Sequence, residues 1–255
     1  MNLSIQKIAI VGLGNVGTQL TYAFDVQNFP LTQVYSRNLE HAQKIANELN
    51  LECVKSLAEI SADLCIVCVS DDVINSVVNQ LPKTVKIAYT SGSVRLQDLD
   101  RKHEMGVFYP LQSFSKGRKI NLFEVPFLIE STDTIFSQEL FDLAYKISRN
   151  VQFMNSNKRR ELHLAAVFMN NFVNHQIYLA EQIAEKFSLD KTLLYPLLKE
   201  TVDKAMENGA FSAQTGPAKR NNQNVIHAQE EMLGGIQKEI YQLMTKSIIE
   251  TYDKL

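Results

Sequence analysis

The chain has 255 residues, enough for one large domain or two modest ones, and its 45% hydrophobic and 21% charged residues exclude disorder, collagen and coiled coil as overall descriptions. Lys and Arg total 26 against 28 Asp and Glu, a net charge of -2, so there is no cationic surplus for nucleic acid. No apolar run approaches the roughly 20 residues that span a bilayer, and Gly12, Gly14, Asn15 and Gly17 interrupt the stretch from Met1 to Leu20, so the expectation is a cytoplasmic protein without membrane contact.

In chain order, Lys7 to Gly12 reads as a strand entering a glycine turn, Asn15 to Phe24 as a helix, Leu31 to Tyr35 as a strand and Leu39 to Leu49 as a helix. A short strand near Glu52 to Val54 follows, then a helical turn near Leu57 to Ile60, the apolar strand Asp63 to Val69, a helix from Val73 to Gln80 and the strand Lys86 to Tyr89. Gly106 to Tyr109 and Pro126 to Glu130 read as strands, Thr134 to Arg149 as a helix, and Val151 to Met154 as a last strand. Such alternation implies a parallel sheet covered on both faces. From Ser156 to Phe187 the pattern is periodic with no Gly or Pro, and Leu189 to Glu207 and Asn222 to Leu255 supply further helices. The expectation is therefore an α/β fold, a Rossmann-type doubly wound parallel sheet over residues 1–153, followed by an all-α domain over residues 154–255.

Cys65 and Cys68 form a C-x-x-C within the apolar run from Leu64 to Val69. Residues three apart on a strand point to opposite faces, so the pair is poorly placed for a metal or a dithiol and reads as buried strand cysteines. No metal site is expected.

Gly12-Leu13-Gly14-Asn15-Val16-Gly17 lies between a predicted strand and a predicted helix, the context a dinucleotide fingerprint requires. The first Gly makes a tight turn, the second admits a pyrophosphate to the backbone, the third lets helix and strand pack closely, and the helix N-terminus offers N–H groups and a positive dipole. Strand two of such folds commonly ends in a carboxylate that binds both ribose hydroxyls of NAD, whereas here Tyr35 is followed by Ser36-Arg37-Asn38. A hydroxyl, a guanidinium and an amide suit a 2′-phosphate, which makes NADP(H) the expected cofactor; a solvated loop Arg is the alternative. Ligands bind outside the carboxyl ends of the strands, which adds Val69, Ser70 and Asp71 after one strand and Ser91 and Gly92 after the next. For Asp71 and Asp72, helix N-capping is the competing reading.

At 100° per residue, His163, Asn170 and Asn174 form one polar stripe to which Glu181 returns, while Leu162, Ala165, Ala166, Phe168, Met169, Phe172, Val173 and Ile177 make the other directions apolar. A helix buried all round with such a seam needs partners for its polar groups: a substrate or cofactor amide, a self-satisfied core network, or a dimer seam. His163 is the candidate acid or base on this stripe, with Asn170 beside it and Asn174 as a substrate contact. The segment from Gln214 to Asn222 gathers donors beside a Gly-Pro turn; Thr215 and Gly216 border a loop able to close over a site, and Arg220 either holds a substrate carboxylate or pairs with a surface acid.

Together the glycine loop, Thr90-Ser91-Gly92, Tyr109-Pro110-Leu111-Gln112-Ser113-Phe114, the run from His163 to Asn171 and Thr215-Gly216-Pro217-Ala218 resemble a family of Rossmann-like proteins, labelled NADP oxidoreductases, with a helical C-terminal domain of unknown function. More distantly the chain is similar to the superfamily of 6-phosphogluconate dehydrogenase, 3-hydroxyisobutyrate dehydrogenase, ketopantoate reductase and pyrroline-5-carboxylate reductase, whose helical second domain often dimerises. The resemblance implies hydride transfer to or from a small carbonyl, imine or hydroxy compound in an interdomain cleft of a homodimer formed through the helical domain. Two departures stand out. The Lys and Asn that the hydroxyacid dehydrogenases place one turn apart are replaced by His163 and Val167, and Tyr109 occupies a position that is commonly His in the first family. A non-catalytic NADP-binding sensor or regulator is the alternative those departures keep open.

Overall fold

The computed structural model describes residues 5–100 and 103–253. Its first half is built from β1 (Ile8–Val11), α1 (Asn15–Val26), β2 (Leu31–Tyr35), α2 (Leu39–Leu49), β3 (Glu52–Cys53), β4 (Leu64–Val67), α3 (Ile74–Val78), β5 (Lys86–Tyr89), β6 (Met105–Pro110), β7 (Phe127–Ser131), α4 (Thr134–Tyr145) and β8 (Val151–Phe153). The strands form one sheet in the order β3-β2-β1-β4-β5-β6-β7-β8, in which the sequence order reverses between β1 and β4. Its central strands are apolar at every position because both faces are covered. Ile8 and Ile10 of β1, with Leu64 and Ile66 of β4, pack under Leu20 and Phe24 of α1, Ile45 of α2 and Leu140 of α4. Ala9, Val11, Cys65 and Val67 alternate to the other face, against Ile74 and Val78 of α3 and Leu57, Leu96 and Leu99.

The sheet is not wholly parallel, as the alternation had implied: β6 and β7 pair antiparallel, Phe108 opposite Ile129. A parallel return needs a crossover of a dozen or more residues, usually a helix. Between β6 and β7 the chain has only the 3₁₀ turn Leu122–Glu124, and it comes straight back. The helix expected to reach Arg149 ends at Tyr145, where the N–H groups of Ile147 and Ser148 both turn to the Ala144 carbonyl.

The long helical stretch is α5 (Ser156–Ala166), a π-helical segment Val167–Phe172 and α6 (Val173–Lys186). Because i→i+5 turns are wider than α turns, the uniform 100° per residue on which the polar stripe was drawn does not hold across Val167–Phe172. Nor is the helix buried all round within the chain: Leu164 is 62% and Met169 81% exposed, and Asn170 and Asn174 are exposed too. Glu181 pairs with Lys191 at 3.0 Å and accepts from the Tyr195 hydroxyl at 3.1 Å.

By compactness the chain divides in two, the first unit ending at Asn170 and the second beginning at Asn171. The expected division at 153 and 154 follows the last strand; compactness carries α5 with the sheet because Ser156 and Arg159 bond to Glu130 of β7. The second unit holds α6, α7 (Tyr195–Asn208), the short α8 (Ala210–Ala213), α9 (Gln223–Glu231) and α10 (Gly235–Tyr252). Pro196 fits in the first turn of α7, where its missing N–H costs nothing. Among the described residues no helix is long and apolar enough to cross a membrane.

Candidate active site

Gly12 follows β1 with φ +94°, a conformation that only glycine adopts without strain, and a Cβ there would lie 2.5 Å from the Cys68 carbonyl oxygen. A Cβ on Gly17 would lie 1.9 Å from the Gly12 carbonyl oxygen, so α1 can start this close to β1 only with hydrogen at that position. Gly14 is the opposite case: nothing lies within 4 Å of where its Cβ would stand, and no side chain caps the helix it opens. An open face beside uncapped N–H groups fits a pyrophosphate. Leu13 is buried, its carbonyl accepting from the Thr18 hydroxyl at 3.2 Å; Val16 packs on the core, and the Asn15 amide donates to the Phe114 carbonyl at 3.0 Å.

At the tip of β2, Ser36 and Asn38 serve the backbone. The Asn38 side chain accepts from His41 N–H at 3.0 Å as the N-cap of α2, and its own N–H donates to Ser36 Oγ at 3.3 Å. Arg37 between them is exposed. After β4, Val69 is half-buried, Ser70 precedes a 3₁₀ turn without capping it through its side chain, and Asp71 accepts a short hydrogen bond from the Ser93 hydroxyl. Asp71 therefore ties two strand-end loops together rather than capping the turn, which corrects the capping alternative. After β5, buried Ser91 uses Oγ to accept from the N–H groups of Ser93 and Val94 at 3.1 and 3.0 Å, holding the loop in a tight turn.

That turn brings Gly92 against a pair the sequence left apart. The Tyr109 hydroxyl at the end of β6 and His163 Nδ1 of α5 lie 3.0 Å from each other, with the rings edge to face at 6.0 Å. A Cβ on Gly92 would stand 2.6 Å from His163 Nδ1 and 2.8 Å from Tyr109 Cζ, so the loop closes on both rings only as glycine. Burial first, then the Asp71 charge, pushes the Tyr109 phenol above its ordinary range, while Arg159 pulls it back.

Beneath the pair is a cluster that the sequence reading passed over. Arg159, one helical turn before His163, is fully buried. Its guanidinium makes a short ion pair with Glu130 and donates to the Val94 carbonyl at 2.5 Å, while the Ser156 N–H and hydroxyl both donate to Glu130 Oε1 at 2.9 Å. The signal was present as an i, i+4 spacing from Arg159 to His163, but nothing local marks an exposed-type residue as buried. Arg159 Nε is without a hydrogen-bond partner among the described residues. Cys65 and Cys68 do point into the two different core layers, and burial pushes both thiols up, that of Cys68 to about 12.

The structure thus gathers Gly12, Gly14, Gly17, Asp71, Ser91, Gly92, Tyr109 and His163 within the first unit, on the carboxyl ends of β1, β4, β5 and β6 and on α5. Asn170 closes that unit, within the π segment. Asn174, Thr215, Gly216 and Arg220 belong to the second unit; Gly216 takes φ +109°, and the Arg220 N–H donates to its carbonyl at 3.4 Å.

An oxidoreductase family with an NAD-binding Rossmann fold matches residues 6–86, and a domain of unknown function, DUF2520, matches residues 125–248. The chain is 34% identical to a Bacteroides fragilis protein described as a "putative NADP oxidoreductase", covering 98% of this chain and 100% of that one with a TM-score of 0.88. A Thermotoga maritima protein is 22% identical over 97% of this chain and 98% of its own, with a TM-score of 0.73. A reductive aminase from Aspergillus terreus, solved with NADPH4, cyclohexanone and allyl amine, shares the fold at 15% identity, 98% and 95% coverage and a TM-score of 0.70. No curated protein matches. With an NAD(P)-binding Rossmann domain ahead of a DUF2520 region, and full-length likeness to the Bacteroides protein, this chain belongs to the DUF2520 family of Rossmann-fold oxidoreductases.

Proposed function

We propose that this protein is an NADP(H)-dependent oxidoreductase acting on a small carbonyl, imine or hydroxy compound. The observation that carries the reading is the Tyr109–His163 pair, 3.0 Å apart and closed on by Gly92, on the same strand ends as the glycine loop. Gly12, Gly14 and Gly17 cradle the pyrophosphate, and Arg37 answers the 2′-phosphate with a charge-assisted contact beside Ser36 and Asn38, which accept hydrogen bonds within the loop and keep their own hydrogens to donate. When bound, NADPH supplies a hydride to the substrate carbon, and NADP⁺ takes one up in the reverse direction. With His163 protonated on Nδ1, the ring donates to the Tyr109 oxygen and frees the phenolic hydrogen for the carbonyl oxygen or imine nitrogen. The proton that Tyr109 gives up is then replaced from His163 Nδ1, 3.0 Å away, as Nε2 of the same ring takes one from water. The relatives support this reading: the Bacteroides protein by its description, the Aspergillus enzyme by its NADPH-type cofactor with a ketone and an amine.

The protein works as a homodimer in this reading. Leu193, Met206 and Leu243 of the helical unit are 73%, 80% and 68% exposed in the single chain, and a second copy lying against them would take these side chains out of water.

The test is NADPH consumption with a panel of keto acids, ketones with amines, and cyclic imines. Turnover by wild type, reduced about 100-fold or more in Tyr109→Phe and in His163→Ala, is the expected result for a lost proton donor. NADPH binding with no turnover on the whole panel overturns the catalytic reading in favour of a sensor.

A further inference from the structure

We infer that Arg159 is a positioning residue for the Tyr109–His163 pair, a buried cation whose contacts set where the pair meets. The inference rests on the proton-delivery reading above. Three elements converge on this one side chain. Glu130 brings β7, Ser156 and Arg159 itself bring α5, and the Val94 carbonyl brings the loop that carries Gly92. The same carbonyl accepts from the Tyr89 hydroxyl at 3.1 Å, and the Leu96 N–H donates to Ser156 Oγ at 3.2 Å, so the loop is held from both sides. His163 lies four residues after Arg159, on the same face of α5, and Gly92 lies two residues before Val94. Moving the guanidinium therefore moves both the His163 ring and the loop packed on it.

Full burial gives the cation a second consequence. The groups facing Tyr109 are His163 and Arg159 from α5 and Asp71 from the loop after β4. Asp71 opposes loss of the phenolic proton and Arg159 favours it, and Arg159 is shielded from water where Asp71 is exposed. Salt and solvent weaken the anion's hold on Tyr109 more than the cation's.

The experiment reads Tyr109 directly and needs no substrate. Difluorotyrosine in place of tyrosine brings the phenols down into a range where the protein stays folded, and the fluorine spectrum of Tyr109→Phe identifies the Tyr109 signal among nine. Three proteins are titrated: wild type, Arg159→Lys, and Arg159→Met combined with Glu130→Gln, which removes both charges and leaves no buried carboxylate alone. The neutral double variant is expected to titrate higher than wild type by about half a pH unit or more, and Arg159→Lys within about 0.2 of wild type. A double variant that titrates with wild type overturns the inference, and so does a Lys variant displaced as far as the double, since packing alone then accounts for the effect. Absence of NADPH turnover defeats the proposed function and leaves this titration readable, so the two failures are distinct.

Discussion

The two halves of this chain bury themselves by different means. In the first unit a sheet turns alternate side chains to two faces, and Ile8, Ile10, Val67 and Ile87 all have no exposed surface. In the helical second unit the buried apolar residues are few, Leu179, Ala184, Ala218 and Ile226, while long apolar side chains on α7 and α10 face solvent. A sheet covered on both sides completes its core within one chain; a set of short helices offers one stripe each and completes it only when something lies against every stripe. The consequence is a contrast between a first unit that carries the glycine loop and the Tyr109–His163 pair and a second unit that leaves long apolar side chains in solvent.

That contrast can be broken most forcefully at the glycine loop. Gly17→Ala puts a methyl group against the Gly12 carbonyl, and NADPH binding measured by calorimetry is expected to fall at least about 100-fold with a lowered melting temperature, because a backbone atom cannot move aside. A Gly17→Ala protein that binds NADPH like wild type sinks the assignment of this loop to the pyrophosphate. The second unit is tested at its surface. Met206→Asp with Leu243→Asp is expected to convert a dimer into a monomer of 28.9 kDa by sedimentation without loss of the NADPH site; a wild type that already sediments as a monomer removes the homodimer.

A smaller effect sharpens the cofactor choice. Arg37→Ala should weaken NADPH about tenfold, roughly 1.4 kcal/mol, and leave NADH unchanged. Equal losses for the two cofactors would show that Arg37 does not read the 2′-phosphate. The smallest expected effect concerns the cysteines of β4 and its end. Their thiols are pushed up by burial, Cys68 to about 12, so both stay protonated through pH 9, and thiolate forms only as the pH climbs toward that value. A thiol reagent at pH 8 should leave Cys65 and Cys68 unmodified in the native protein and modify all three cysteines after denaturation.

Much of the first unit was legible because its signals are local. Gly12, Gly14 and Gly17 read as a fingerprint since all three fall within six residues between an apolar run and a helix, and the strands showed as apolar runs because both faces are covered. Other features were hidden for equally physical reasons. The antiparallel return from β6 to β7 depends on a segment having no helix, which composition does not announce. The π turns at Val167–Phe172 interrupt a sequence whose apolar spacing reads as uninterrupted α-helix, so a stripe drawn at constant pitch runs through residues that do not keep it. The helix taken as buried has Leu164 and Met169 in solvent, because hydrophobicity reports a need for cover and not who supplies it.

By itself the amino-acid sequence determined the alternation of strands and helices, the glycine loop between the first strand and the first helix and the lack of a carboxylate directly after Tyr35, all of them properties of neighbours in the chain. Only the tertiary structure decided that Tyr109 meets His163 across 54 positions, that Gly92 closes on both, and that Arg159 lies buried against Glu130. Those contacts join β5, β6, β7 and α5, and their geometry exists only once the strands have taken their order in the sheet.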